Sequence, residues 1–222
     1  MKQFLIVSLL LILLCISNSP VYASLMSNFN LGDEGWTTRT YYSPTNTNPP
    51  LTSEPPVLWG GSGGNPDGYI YLPDPGNGST QFKAPNVWMG DWTSYIGGTF
   101  SFDLMVSEIQ DSSAYQNIPN IYIHSGSVIL AWRETITPME DEWTHFERTL
   151  SSPFWEIWYG DGRAFDELMA NVTEVTVRGE SFDGYDVFGI DNIRVSPVPE
   201  PTTMILFSIG LLGLVGFNRK NK

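Results

Sequence analysis

Gly98-Thr99-Phe100-Ser101-Phe102-Asp103-Leu104-Met105-Val106 is the stretch that decides the fold. Phe100, Phe102, Leu104 and Val106 recur at every second position, with Thr99, Ser101 and Asp103 between them, so a strand made from it buries one face and leaves the other polar. A helix would scatter the same residues around its circumference. Outward from this stretch, residues 121–123 and 128–132 repeat the pattern, with Val128, Leu130 and Trp132 on one face. Residues 27–30, 69–72, 143–150, 175–178 and 190–195 read as further strands, separated by clusters of Gly, Pro, Asn, Asp and Ser. Gly32 to Trp36 reads as a turn, Gly60 to Gly68 as a glycine-rich turn, and residues 43–56 as a proline- and hydroxyl-rich loop. Phe165, Leu168, Met169 and Val172 fall at helical spacing and predict one short helix over residues 163–171. The fold class is all-β, a sandwich with that single helix at a sheet edge.

Both ends of the chain read as export signals. Lys2, the apolar residues 4–16 and Val21-Tyr22-Ala23 have the order of a cleaved signal peptide over residues 1–23, which makes Ser24 the mature N-terminus. At the other end, Val198-Pro199-Glu200-Pro201 stays extended because each proline fixes φ and lacks a donor. An uncharged apolar run from Met204 to Phe217 follows, and Arg219, Lys220 and Lys222 close the chain. With its flanking residues, about 202–218, the run has the length of a short transmembrane helix, and the basic cluster holds the extreme end in the cytoplasm. Pro199, Glu200 and Pro201, the apolar run and the basic end together resemble the PEP-CTERM sorting signal, over residues 197–222. The resemblance implies a membrane-anchored precursor in the inner membrane of a Gram-negative bacterium. It further implies cleavage by an exosortase and delivery to the cell surface or the exopolysaccharide matrix.

What remains, residues 24–196, has the size of one domain. It holds 7 Lys or Arg against 23 Asp or Glu, a balance that disfavours nucleic acid and anionic lipid and suits cations or neutral polymers. The one cysteine, Cys15, lies in the signal peptide, so neither disulfides nor thiolate metal sites are available to the domain. All eight tryptophans fall within it.

Asn65-Pro66-Asp67-Gly68-Tyr69-Ile70, Phe82-Lys83-Ala84-Pro85, the block from Ala84 to Leu104, and Gly189-Ile190-Asp191-Asn192-Ile193 are together similar to the laminin B (laminin IV type A) domain. That resemblance implies a jelly-roll β-sandwich akin to carbohydrate-binding modules, used outside the cell for adhesion and without catalytic residues. Jelly-roll modules often hold a structural Ca²⁺ between the first and last strands. The matching oxygens here are those of Asn30, Asp33 and Asp191. Asp191 has the parity of Ile193 and Val195 and so is expected to face inward, where a carboxylate needs either a cation or a full set of donors. The alternative for Asp191 is a cap on backbone amides in a turn.

Aromatic side chains stack on the apolar faces of sugars. Trp88 and Trp92 beside Asp91, and Trp155, Trp158 and Tyr159 beside Glu156 and Asp161, are the candidates, with core packing as the competing role. No HExxH, GxSxG or phosphate-loop spacing occurs, and the abundance of carboxylates makes a glycosidase pair uninformative. The expectation is a noncatalytic surface protein that touches exopolysaccharide or another glycan. The rivals are a carbohydrate-active enzyme and a purely structural coat component.

Overall fold

The computed structural model describes residues 23–41, 55–73, 79–111, 120–133, 136–179, 182 and 184–198. The signal peptide, the 43–54 part of the proline-rich loop, the Pro199-Glu200-Pro201 motif and the helix at 202–218 lie outside these residues. Among the described residues no helix is long and apolar enough to cross a membrane. The chain divides into a unit of Ser24–Pro197 and a second of Met1–Ala23 with Val198–Lys222. Every element named below belongs to the first.

Twelve strands are described: β1 (Leu25–Ser27), β2 (Thr37–Tyr41), β3 (Leu58–Gly64), β4 (Asp67–Pro73), β5 (Ser79–Lys83), β6 (Thr99–Ser107), β7 (Ile121–Ser125), β8 (Val128–Trp132), β9 (Thr144–Thr149), β10 (Glu156–Tyr159), β11 (Glu174–Arg178) and β12 (Val187–Ser196). A single short helix, α1, spans Phe165–Met169. The strands form two six-stranded sheets, both antiparallel. Sheet A has the order β3-β4-β12-β6-β9, with β1 also on β12, and sheet B has the order β10-β8-β7-β11-β5-β2. The ten-residue β12 takes two partners end to end along one side, β4 beside Val187 to Ile190 and β1 beside Ile193 to Val195.

The alternation read in β6 holds. Phe100, Phe102, Leu104 and Val106 are fully buried, and they meet Val128, Leu130 and Trp132 of β8 in one apolar core shared by both sheets. Aromatic rings thread this core from Phe29 through Trp36, Trp88, Phe100 and Phe102 to Trp132 and Trp155, mostly edge to face. Phe146 of β9 stacks on Phe102 with centroids 5.1 Å apart.

Four strands were not legible as such. The glycine-rich segment expected to be a turn is mostly edge strand β3, and only the short connection at Asn65-Pro66 turns. Its glycines fit a ring and a tight turn: a Cβ at Gly60 would stand 2.6 Å from the Tyr69 ring, and one at Gly64 would stand 2.4 Å from the Gly68 carbonyl. β2, β5 and β10 also went unseen, because their outward positions carry polar or mixed side chains and their inward ones are few.

Candidate functional site

The face of sheet B turned away from the core is built by register. Val175 and Val177 of β11, Phe82 of β5, and Ile121 and Ile123 of β7 all point into the core, so their neighbours along each strand point outward. One continuous row then crosses all six strands: Thr37, Lys83, Thr176, Tyr122, Ala131 and Glu156. Flanking rows place Arg39 beside Gln81 and Arg178, and Glu174 beside His124. Although directed away from the core, Gln81, Tyr122, His124, Glu174, Thr176 and Arg178 are all buried.

Glu174 is the electrostatic centre of this face. Arg39 Nη1 pairs with its Oε1, Lys83 Nζ stands 3.2 Å from Oε2, and His124 Nε2 stands 3.6 Å from Oε1. Burial alone would raise the Glu174 carboxyl, but the charge and hydrogen bond of Arg39, together with Lys83, hold it below the ordinary carboxylate range. Burial pushes His124 below the ordinary imidazole value; Glu174 pulls against this, and Arg39 and Lys83 reinforce it. Thr176 Oγ1 donates to Gln81 Oε1 at 2.5 Å.

The aromatic end of the same face lies at β8 and β10. Arg133 Nε donates to Glu156 Oε1 at 2.6 Å, and its guanidinium lies 4.7 Å from the centroid of Trp158. Tyr122 meets Trp158 edge to face at 6.5 Å. The register of β10 on β8 is irregular between Ile157 and Tyr159, which brings Trp158 and Tyr159 to the surface at 45% and 66% exposure. Beside them a pocket of about 250 Å³ is lined by Ala131, Arg133, Pro153, Phe154, Trp155 and Glu156. The end therefore presents exposed rings next to a charge-assisted donor and acceptor, the two kinds of group that a sugar's apolar face and hydroxyls require.

The remaining tryptophan candidates go elsewhere. Trp88, Trp92 and Trp155 are core residues, between 1% and 5% exposed, and are corrected to that role. The 3₁₀ turns Asn86–Trp88 and Thr93–Tyr95 carry the first two into the interior, where Trp92 Nε1 donates to the Trp88 carbonyl at 2.9 Å. Trp155 Nε1 donates to the Thr149 carbonyl at 3.0 Å. Sequence could not sort them, because Trp88 lies in a 3₁₀ turn and Trp92 and Trp155 flank such turns, where no periodicity marks the buried side.

Asp191 is fully buried, but it belongs to the outward face of sheet A. It pairs with Asp103, whose strand neighbours Phe102 and Leu104 point into the core. A bulge between Asp191 and Arg194, with Asn192 at φ +50°, shifts the parity, so Asp191 does not share the face of Ile193 and Val195 as expected. Amides fill both carboxylates. Asn65 N donates to Asp191 Oδ2 at 2.7 Å and Asn192 N to Oδ1 at 2.6 Å. The side-chain amides of Asn65 and Asn192 donate to Asp103 Oδ2 at 3.1 and 2.8 Å, and His145 Nδ1 lies 2.6 Å from Asp103 Oδ1. Burial first, and then the charges of Asp103 and Glu34, push the Asp191 carboxyl up to about 6 against these donors.

The donors that Asp191 demanded are thus amide N–H groups. Asn30 and Asp33 are exposed, and Asp33 Oδ1 accepts the Gly35 N–H at 2.9 Å in a turn. Among the described residues no group of three or more His, Cys, Asp or Glu side chains is arranged to hold a metal ion. Each Asp191 oxygen accepts one N–H group and keeps a further lone pair, so a Ca²⁺ at Asn30, Asp33 and Asp191 is a matter for direct titration.

Residues 197–220 match the PEP-CTERM protein-sorting motif. No curated protein matches the chain. Among solved structures the chain is similar to the L4b domain of human laminin alpha-2, at 14% identity over 59% of this chain and 80% of that one, with a TM-score of 0.51. It is also similar to the family 11 carbohydrate-binding module of a cellulosomal cellulase of Clostridium thermocellum, at 15% identity over 82% of this chain and 98% of that one, with a TM-score of 0.49. The same family's module in complex with a β-1,3-1,4-mixed-linked tetrasaccharide gives 14% identity, coverage of 82% and 99%, and a TM-score of 0.49. At these identities the likeness to the laminin domain is one of fold. The chain is a two-sheet antiparallel β-sandwich, laminin-like in fold, that carries a PEP-CTERM sorting motif at its C-terminal end.

Proposed function

We propose that the protein is a noncatalytic, surface-sorted β-sandwich of jelly-roll type that binds exopolysaccharide through the exposed β8–β10 end of the outward face of sheet B. In this reading the helix at 202–218 anchors the exported precursor in the inner membrane. An exosortase then recognises the Pro199-Glu200-Pro201 tail, and the sandwich is delivered to the cell surface or matrix.

The observation that carries the reading is the β8–β10 end, where the exposed ring of Trp158 lies 4.7 Å from the guanidinium of Arg133, itself paired with Glu156, and Tyr159 is exposed on the same strand. A noncatalytic role is supported by the state of the acids there. A glycosidase needs one carboxyl kept protonated, whereas Arg39 and Lys83 hold Glu174 below the ordinary carboxylate range.

The test is affinity electrophoresis of the full chain in mild detergent through gels containing the producer's exopolysaccharide. Retardation that disappears in Trp158→Ala/Tyr159→Ala, with polymer length unchanged on incubation, is expected. Unaltered retardation of the double variant would remove the site, and shortening of the polymer would restore the enzyme reading.

A further inference from the structure

The outward face of sheet A, on the opposite side of the sandwich from the β8–β10 end, carries an aromatic cluster of its own. Ile70 and Leu72 of β4 point into the core, so Tyr69 and Tyr71 point outward. The Tyr69 ring rests on the backbone of both neighbouring strands: a Cβ at Gly60 of β3 would stand 2.6 Å from it, and one at Gly189 of β12 would stand 2.9 Å from it. Tyr71 lies beside that ring, with centroids 5.4 Å apart and planes 32° from parallel. Trp143, just before β9, stands against it at 5.5 Å and 85°. Tyr71 thus extends the floor that Tyr69 begins, Trp143 forms a wall, and all three rings are half-buried. Trp143 Nε1 donates to the Gly63 carbonyl at 3.0 Å, which satisfies the polar end of the indole.

A polar group is held ready beside these rings. His145 follows Trp143 by two residues, about 7 Å along the strand, and points outward because Phe146 is in the core. Its side chain is 59% exposed, whereas that of Asp103, which lies 2.6 Å from His145 Nδ1, is 5% exposed. The side-chain amides of Asn65 and Asn192 hold the other Asp103 oxygen. A buried carboxylate anchored in this way fixes the imidazole with Nδ1 inward, so Nε2 is the atom presented to solvent.

Charge and size narrow the occupant. Of the seven Lys and Arg in residues 24–196, Arg194 is the one on this face, in a row with Ser101 and Glu147. Arg39, Lys83 and Arg178 belong to β2, β5 and β11, while Arg133, Arg148 and Arg163 lie against Glu156, the Trp132 ring and Asp161. Nucleic acid draws its affinity largely from cations on its phosphates, and here it would meet a single one. A stable protein interface takes about 800 Å² from each side, more than the few hundred Å² that three half-buried rings offer.

We infer that the outward face of sheet A is a second glycan-binding surface, for an uncharged polysaccharide, in which Tyr71 and Trp143 stack on the apolar faces of sugar rings and His145 Nε2 meets a hydroxyl. Tyr69 is a positioning residue that seats the other two rings. The site stands on its own residues. With the β8–β10 end on the opposite sheet, one molecule holds two polymer strands and cross-links them, a consequence that rests on the glycan reading of that end as well.

The test is affinity electrophoresis of the full chain in mild detergent, through gels containing hydroxyethylcellulose, xyloglucan or galactomannan, in a Trp158→Ala/Tyr159→Ala background that removes the β8–β10 rings. Retardation by at least one of these uncharged polymers is expected, with the affinity falling about tenfold on Tyr71→Ala, the loss of one stacked ring. His145→Ala should also weaken it, whereas Arg194→Gln should leave it unchanged. Tyr71→Ala is the deciding variant because Trp143→Ala also releases the Gly63 carbonyl. No retardation of the folded background protein, or retardation that Tyr71→Ala leaves intact, would overturn the inference. Equal retardation by oligothymidylate, lost in Tyr71→Ala, would overturn it in favour of base stacking. A dimer in sedimentation that Tyr71→Ala dissociates would assign the rings to a second copy of the chain instead. Full wild-type retardation that survives Trp158→Ala/Tyr159→Ala and vanishes with Tyr71→Ala would support the sheet A site and remove the β8–β10 one.

Discussion

Asp191→Asn isolates a carboxyl that, among the described residues, is pushed up to about 6 by its burial. Asp191 faces Asp103 on β6, with His145 beyond it on β9, and both of its oxygens accept backbone N–H groups from Asn65 and Asn192. Displacement from 3.8 to about 6 means that the ionised form costs the folded state about 3 kcal/mol. Because the folded value lies above the unfolded one, the native state binds the extra proton. Stability therefore rises as pH falls through about 6 and gains nothing further below 3.8. Between about pH 7.5 and about pH 5 this site alone should add about 1.4 kcal/mol. His124 works in the opposite sense, since its depressed value makes protonation costly to the fold on acidification, so the wild-type profile alone is ambiguous. The difference between wild type and variant is not. Asparagine removes the charge but turns an NH₂ toward one of the two N–H donors, at a cost of about 1–3 kcal/mol, so the two proteins should be of similar stability near pH 7.5. Urea unfolding at the two pH values should then show wild type gaining about 1.4 kcal/mol relative to the variant on acidification. Parallel profiles would refute the placement of a strained, amide-bound carboxylate at this position.

Further outcomes follow from the same geometry. Trp88→Ala should cost about 3–5 kcal/mol in chemical denaturation because it empties a fully packed site, whereas Trp158→Ala on the exposed edge should cost less than about 1 kcal/mol. Gly98→Ala puts a Cβ 1.9 Å from the Ser196 carbonyl, a backbone atom that cannot rotate away, so a fall in Tm corresponding to about 1–3 kcal/mol or more is expected. A cation at Asn30, Asp33 and Asp191 should raise Tm by several degrees when Ca²⁺ is added, with the rise reversed by EDTA; an unchanged Tm would refute it.

The fold was legible wherever a strand buries one face and wets the other. β6 and β8 declare themselves because Phe100, Phe102, Leu104 and Val106, and Val128, Leu130 and Trp132, alternate without a break. β3 was not legible, since an edge strand of Leu-Trp-Gly-Gly-Ser-Gly-Gly has no side chains with which to alternate and reads as a turn. Asp191 failed for a different reason. A period-two argument assumes an unbroken ladder, and the extra residue at Asn192 reverses the parity on its far side. Asp191 is buried, as its parity with Ile193 and Val195 led one to expect, but on the opposite side of the sheet from them.

The outward face of sheet B was in principle readable. Glu174, Thr176 and Arg178 alternate with Val175 and Val177, and Gln81 and Lys83 flank Phe82, so each strand names its outward side chains. The sequence does not reveal which strands are neighbours. β2, β5 and β11 lie next to one another although more than ninety residues separate Lys83 from Thr176 in the chain.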